Sequence, residues 1–210
     1  MKIILFGDSI TDSGRDRSVD YRLESYGHGY PKFVAGELLG ENPTKYEIIN
    51  RGISGHRIVD LYARIKADVW NLQPDVLSIL DGINDIEFEG NGNVNGVDIV
   101  RFEKIYRMLI EDTLERFPNI KIILCEPFIL KTVETEPFAN QFWEVAEYAR
   151  VVKSLAEEYG LYFLPLQEKL NEAAAKYSAE LYLVDGVHPT ILGAKLIAEE
   201  WLKLFKTIEQ

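Results

Sequence analysis

"KIILFGDSITD", residues 2–12, runs from an unbroken apolar stretch straight into glycine, carboxylates and hydroxyls. An apolar run without inside–outside alternation reads as a strand covered on both faces. Four more runs share that character: "YEIIN" (46–50), "DVLSIL" (75–80), "IKIILC" (120–125) and "LYFLPL" (161–166). Between them the apolar residues recur at steps of three and four. This predicts helices near 31–40, 57–72, 98–116, 141–159 and 190–206, and a shorter one near 167–177. In the fourth, Phe142, Val145, Ala146, Ala149, Val152, Leu155 and Ala156 form one stripe, and in the fifth Ile197, Trp201, Leu204 and Phe205 do the same. Strand and helix in repeated alternation imply an α/β fold: a five-stranded parallel sheet between two helical layers.

The 210 residues suit a single domain, 1–210, with no linker, repeat or low-complexity tract. A net charge of -11 disfavours non-specific attraction to nucleic acid or anionic membranes, so neither is expected as a partner. A small neutral ester is compatible with it, and a homo-oligomer is left open. The single cysteine, Cys125, excludes an intramolecular disulfide and reads as a buried small hydrophobe within "IKIILCEPF". "MKIILFGDS" has too few apolar residues for a signal peptide, and no window approaches the roughly 20 apolar residues of a membrane helix. A cytoplasmic protein is expected. Two irregular stretches, 12–29 and "GNGNVNG" (90–96), are candidate functional loops.

Ligands of open parallel sheets bind beyond the carboxyl ends of the strands, where the strand order reverses. The first three strands each end in a polar cluster there: Gly7, Asp8 and Ser9; "NRGISG" with Gly52; "DGIND" with Asn84 and Asp85. Any one of these is a plausible turn. A fourth cluster, "LVDGVHPT" (183–190), places Asp185 three residues before His188, with Pro189 holding His188 in a turn. There the carboxylate can accept from Nδ1–H and leave Nε2 free as a base; the alternative is a cap for the terminal helix. Of the three histidines, His56 stands at a helix start, which disfavours its charged form, and His28 in "YGHGY" can line a pocket or face solvent. Tyr21, Tyr26 and Tyr30 in the same loop would suit stacking against a sugar, or plain packing. Asp8 reads as a loop hydrogen-bonding residue. With no "HxxxH" or "CxxC" spacing, no metal site and no cofactor are expected.

Taken in order, "FGDSITDSG", "NRGISG", "GIND" and "DGVHP" resemble the four sequence blocks of the SGNH (GDSL-like) hydrolases, across nearly the whole chain. The resemblance implies a flavodoxin-like α/β/α fold and a serine esterase. Within the family, "GDSITDSGRDR" and "YGHGY" look most like bacterial carbohydrate acetylesterases, including acetylxylan esterases. Carried over by motif, Ser9 is the nucleophile, Gly52 and Asn84 belong to the oxyanion hole, and His188 acts with Asp185. The oxyanion donors would be the backbone N–H groups of Ser9 and Gly52 and the Asn84 amide. Hydrolysis of short acyl esters, acetyl above all, through an acyl-enzyme on Ser9 is the expectation. A lysophospholipase or thioesterase acting on longer chains is the alternative. Two positions depart from the pattern: Asp81 in "LDGIND", where an apolar strand residue is expected, and "IEFEG" after Asp85.

Overall fold

The structure, a computed structural model, describes residues 1–86 and 95–209, with backbone alone at 138–140. Most of the 90–96 loop singled out above lies outside the described residues. Strands β1 (Lys2–Gly7), β2 (Glu47–Gly52), β3 (Val76–Leu80), β4 (Lys121–Cys125) and β5 (Tyr162–Leu164) pair in parallel in the order β2-β1-β3-β4-β5. The connections leave β1 towards β2 and then return past it to β3, so strand order reverses between β1 and β3. This is the crevice where the polar clusters were expected to meet.

The helices are α1 (Ser9–Asp12), α2 (Tyr30–Glu41), α3 (Ile58–Asp68), α4 (Ile99–Arg116), α5 (Phe142–Glu158), α6 (Gln167–Lys176) and α7 (Ile191–Ile208). Right-handed crossovers put α2 on one face and α3, α4 and α5 on the other. The packing agrees, with α2 against α7 and α4 between α3 and α5. Covered on both sides, β3 is buried at every position, as its continuous apolar run predicts. Trp201 of α7 is fully buried, stacks on Phe205 at 5.0 Å and donates its indole N–H to Ser78 Oγ in β3 at 2.9 Å. Cys125 is buried as expected, and burial pushes its thiol up to about 12.

Two expected boundaries move, and one short helix is added. The strand expected over 161–166 shortens to Tyr162–Leu164, because Pro165 has no N–H for the ladder. The helix expected over 57–72 ends at Asp68, and Trp70–Leu72 forms a separate 3₁₀ turn. The short helix α1 was not expected. Asp8 initiates it by accepting from Ile10 N–H at 2.9 Å, so the chain turns as soon as it leaves the sheet.

Candidate active site

Ser9 is the first residue of α1, one residue past the N-cap and at the mouth of the β1–β3 crevice. Its Oγ lies 2.8 Å from Nε2 of His188, a residue 179 positions away. On the other side of that ring, Nδ1 lies 2.6 Å from Asp185 Oδ2. The segment carrying both residues is a tight hairpin. Leu183 bridges Pro189, and Val184 N–H donates to the His188 carbonyl at 2.8 Å. Asp185 Oδ1 accepts from the backbone N–H groups of Val187 and His188 at 2.9 and 2.7 Å. The carboxylate is therefore fixed before it meets the ring. Although burial pushes the Asp185 carboxyl up, the His188 ring and these N–H donors hold it well below the usual carboxylate range. The hydrogen bond to Asp185 raises His188 above its ordinary value against the opposing effect of burial, and the Asp8 carboxyl adds to the rise.

The β2 loop carries a correction. Gly52 N–H is already bonded to Asn50 Oδ1 at 2.8 Å and is buried, so it is not available to an oxyanion. Glycine is needed at 52 for another reason: a Cβ there would stand 2.1 Å from Asp12 N. Along the same loop, Ile53 N–H donates to the Gly7 carbonyl, Ser54 N–H to Asp12, His56 N–H to Ile53 and Arg57 N–H to Asp60. Gly55, exposed and at φ +79°, is the residue between 52 and 57 whose N–H has no acceptor among the described residues. The signal in the sequence was the second glycine of "NRGISG", which sits where a left-handed turn is needed.

Asn84 closes the group from the β3 side. Its Nδ2 donates to the His56 carbonyl at 3.0 Å and to Asp8 Oδ2 at 3.3 Å. The amide thus lies between the residue after Gly55 and the residue before Ser9. Two side chains that sequence reading did not single out hold these loops. Asn50 Nδ2 ties the Thr11 and Tyr26 carbonyls. Arg64 donates to the carbonyls of Gly7 and Arg51 and, through Nε, to His56 Nδ1 at 3.0 Å. Since arginine only donates, the His56 lone pair is engaged, and burial and Arg64 lower its pKa. His56 is no base for Ser9.

Two aromatic residues of the first loop, Tyr26 and Tyr30, are also corrected, whereas Tyr21 is exposed and its hydroxyl donates to Glu47. Tyr30 is 1% exposed, with its hydroxyl against Thr11 Oγ1, and Tyr26 is 8% exposed. Both rings belong to the core and offer no face to a sugar. They are apolar anchors that seat the loop. His28 is exposed, with its ring over Gly14. Cavities of about 580 Å³, beside Asp85, Val97, Trp143 and Tyr148, and about 530 Å³, beside Phe142, Val145 and Phe163, are lined by neither Ser9 nor His188. Among the described residues no His/Cys/Asp/Glu group is arranged to hold a metal ion, and no helix is long and apolar enough to cross a membrane.

The profile of the GDSL-like lipase/acylhydrolase family matches residues 5–196. The chain belongs to this family. As a GDSL-like hydrolase it is 34% identical over 208 residues to an acetylxylan esterase of Geobacillus stearothermophilus, covering 96% of this chain and 92% of that protein. The solved structure of that organism's acetylxylan esterase Axe2 superposes with a TM-score of 0.84 at 32% identity, covering 97% of this chain and 93% of that one. A candidate GDSL-like lipase from Parabacteroides merdae superposes at 0.91 with 36% identity, covering 98% and 95% of the two chains. The fold is therefore the three-layer α/β/α of the GDSL-like hydrolases, and the chain is a carboxylic ester hydrolase.

Proposed function

We propose that this GDSL-like hydrolase removes short acyl groups, acetyl above all, from carbohydrate esters through an acyl-enzyme on Ser9. The observation that carries the mechanism is the chain of contacts Ser9 Oγ–His188–Asp185, at 2.8 and 2.6 Å. A serine hydroxyl is a weak nucleophile at neutral pH and needs a base within hydrogen-bond reach. Asp185 fixes the tautomer with the proton on Nδ1, so Nε2 takes the Ser9 proton as Oγ attacks the ester carbonyl. The imidazolium formed faces Asp185 directly and Asp8 more remotely, and both favour it. It returns the proton to the leaving alcohol, and water then hydrolyses the acyl group by the same steps.

The tetrahedral oxyanion is received by the N–H groups of Ser9 and Gly55 and by the Asn84 amide. Gly55 replaces Gly52 in this role because its N–H is unengaged while that of Gly52 is not. The long bond from Asn84 to Asp8 is the one that yields as negative charge develops nearby.

The acetylated carbohydrate rests on the Geobacillus relatives, which are described as acetylxylan and acetyl-xylooligosaccharide esterases. Serine-to-alanine and aspartate-to-alanine variants of that enzyme are described as catalytic mutants, in line with a serine and an aspartate in the machinery here. Turnover of p-nitrophenyl esters from acetate to palmitate, followed by acetylated xylo-oligosaccharides, tests the reading. Acetate is expected to lead and the oligosaccharides to release acetate; a maximum at long chains hands the assignment to a lysophospholipase or thioesterase.

A further inference from the structure

Behind the Asn84 turn lie three carboxyl groups removed from water. Asp8 is fully buried, and Asp81 and Asp85 are each 1% exposed. They differ in their donors. Asp8 accepts from Ile10 N–H and the Asn84 amide, and Asp85 accepts from Ile58 N–H at 3.0 and 3.2 Å. Neither oxygen of Asp81 receives a hydrogen bond from any described donor. None of the groups facing it donates to it, and Arg64 lowers its pKa through charge alone, against the larger effects of burial and the two neighbouring acids. From α3, Arg64 is engaged by Asp68, His56 and the carbonyls of Gly7 and Arg51, and Arg57 by Asp60 and the Asn95 carbonyl. From α4, the hydroxyl of Tyr106 is itself buried without a partner. What remains within hydrogen-bond reach of Asp81 is another acceptor, Asp85.

A buried carboxylate with no donor, beside two other acids, is a costly anion but a satisfied acid. One proton turns the Asp81–Asp85 contact from a repulsion into a hydrogen bond. It belongs on Asp81, because the other two acids already receive N–H donors that favour their charged forms. We propose that Asp81 is a proton-bearing positioning residue: its carboxylic O–H donates to Asp85 and closes the 81–85 turn that aims Asn84, and the turn loosens when the proton leaves. Asp85 links this turn to the start of α3 through Ile58 N–H and, by its own carbonyl, to Val97 N–H at 2.7 Å. Strain there therefore reaches the loop bearing Gly55. Asp81 stands where an apolar residue was expected from the sequence.

The catalytic half rests on the serine-esterase reading; the protonation half does not, so the test reads both. Unfolded, Asp81 ionises at an ordinary carboxyl value; folded, it holds its proton to higher pH. Between those points the folded state binds the extra proton, so its stability falls as pH rises. Urea midpoints and kcat are measured from pH 5 to 9 for wild type, Asp81→Asn and Asp81→Leu. Both variants are expected to lose part of the alkaline fall in midpoint, with an advantage over wild type that widens with pH. The alkaline limb of kcat is expected to move up by about one pH unit or more in Asp81→Asn, which can still donate to Asp85. Asp81→Leu cannot, and its kcat should drop several-fold with KM little changed. Stability curves parallel to wild type, or an unmoved alkaline limb, overturn the proposal. So does the absence, in wild type at neutral pH, of an infrared carboxylic-acid band that disappears in Asp81→Asn, a reading that needs no active enzyme.

Discussion

Two sets of carboxylates flank Ser9, the hairpin acid Asp185 and the buried acids at the ends of β1 and β3. Asp185 is partly open to water and accepts three N–H groups, two from the backbone and one from the His188 ring. Burial pushes its carboxyl up, but these donors prevail and it remains an anion. Burial pushes Asp8 up to about 7, and the Ile10 N–H only moderates the rise. Asp81, with no donor at all, is raised well above the usual carboxylate range by burial and by its neighbours Asp85 and Asp8. The same side chain thus becomes a permanent charge or a proton store according to how many donors meet it before water is excluded. The hairpin sets the first kind against the His188 ring, and the second kind lies buried around the Asn84 turn.

The sharpest break of this comparison is to remove its centre. Ser9→Ala should lower turnover of an aryl acetate by on the order of 10⁶-fold and leave the fold intact by circular dichroism, and Asp185→Ala by about 10⁴-fold. Turnover retained in either would separate the hairpin from the chemistry. Next, Asn84→Ala removes one oxyanion donor and should cost about 100- to 1000-fold in kcat, with KM nearly constant. A loss below threefold would leave the Asn84 amide a purely structural tie to Asp8 and His56.

The two glycines of the β2 loop sharpen the contrast in a different currency. Gly52→Ala pushes a Cβ against Asp12 N and should destabilise by about 3 kcal/mol in urea titrations. Gly55→Ala has open space around it and should cost only about 1–2 kcal/mol for its left-handed backbone. Equal costs would contradict the division of roles between them.

The smallest effect concerns Asp8. The acid limb of kcat/KM reports the free base, so its midpoint should lie above the ordinary histidine value of 6.5, since Asp185 raises His188. Asp8→Asn keeps a capping oxygen for Ile10 and removes a negative charge that favours imidazolium. The midpoint should therefore fall. A rise would mean that Asp8 acts on His188 through the loop geometry and not through its charge.

Much of this site is legible along the chain. The apolar runs and the three- and four-residue periodicity lead directly to the strands and helices, because a buried strand or a packed helix face needs its apolar residues at those intervals. "DGVHP" reveals the Asp185–His188 pair because both residues lie in one turn, and local geometry is written in local sequence. The glycine of the β2 loop was misplaced because "NRGISG" offers two. Telling them apart requires knowing which N–H is taken by Asn50 and which residue crowds against Asp12, on a different strand's exit. Tyr26 and Tyr30 stayed undecided for a related reason: an aromatic in an irregular stretch is as well suited to a core as to a ligand until the burial is known.

By itself, then, the sequence determined the α/β alternation, the rim on which the polar clusters gather and the serine, histidine and aspartate that meet there. These follow from periodicity, turn chemistry and the order of four short blocks. Only the tertiary structure decided that Gly55 offers the unengaged N–H, that Tyr26 and Tyr30 are core, and that Asp81 lies buried with no donor to hold its charge. Each of those depends on which groups from distant parts of the chain arrive to bond or exclude water. A hydrogen bond or a desolvated charge is a property of the pair and its surroundings, and no single stretch of residues contains both.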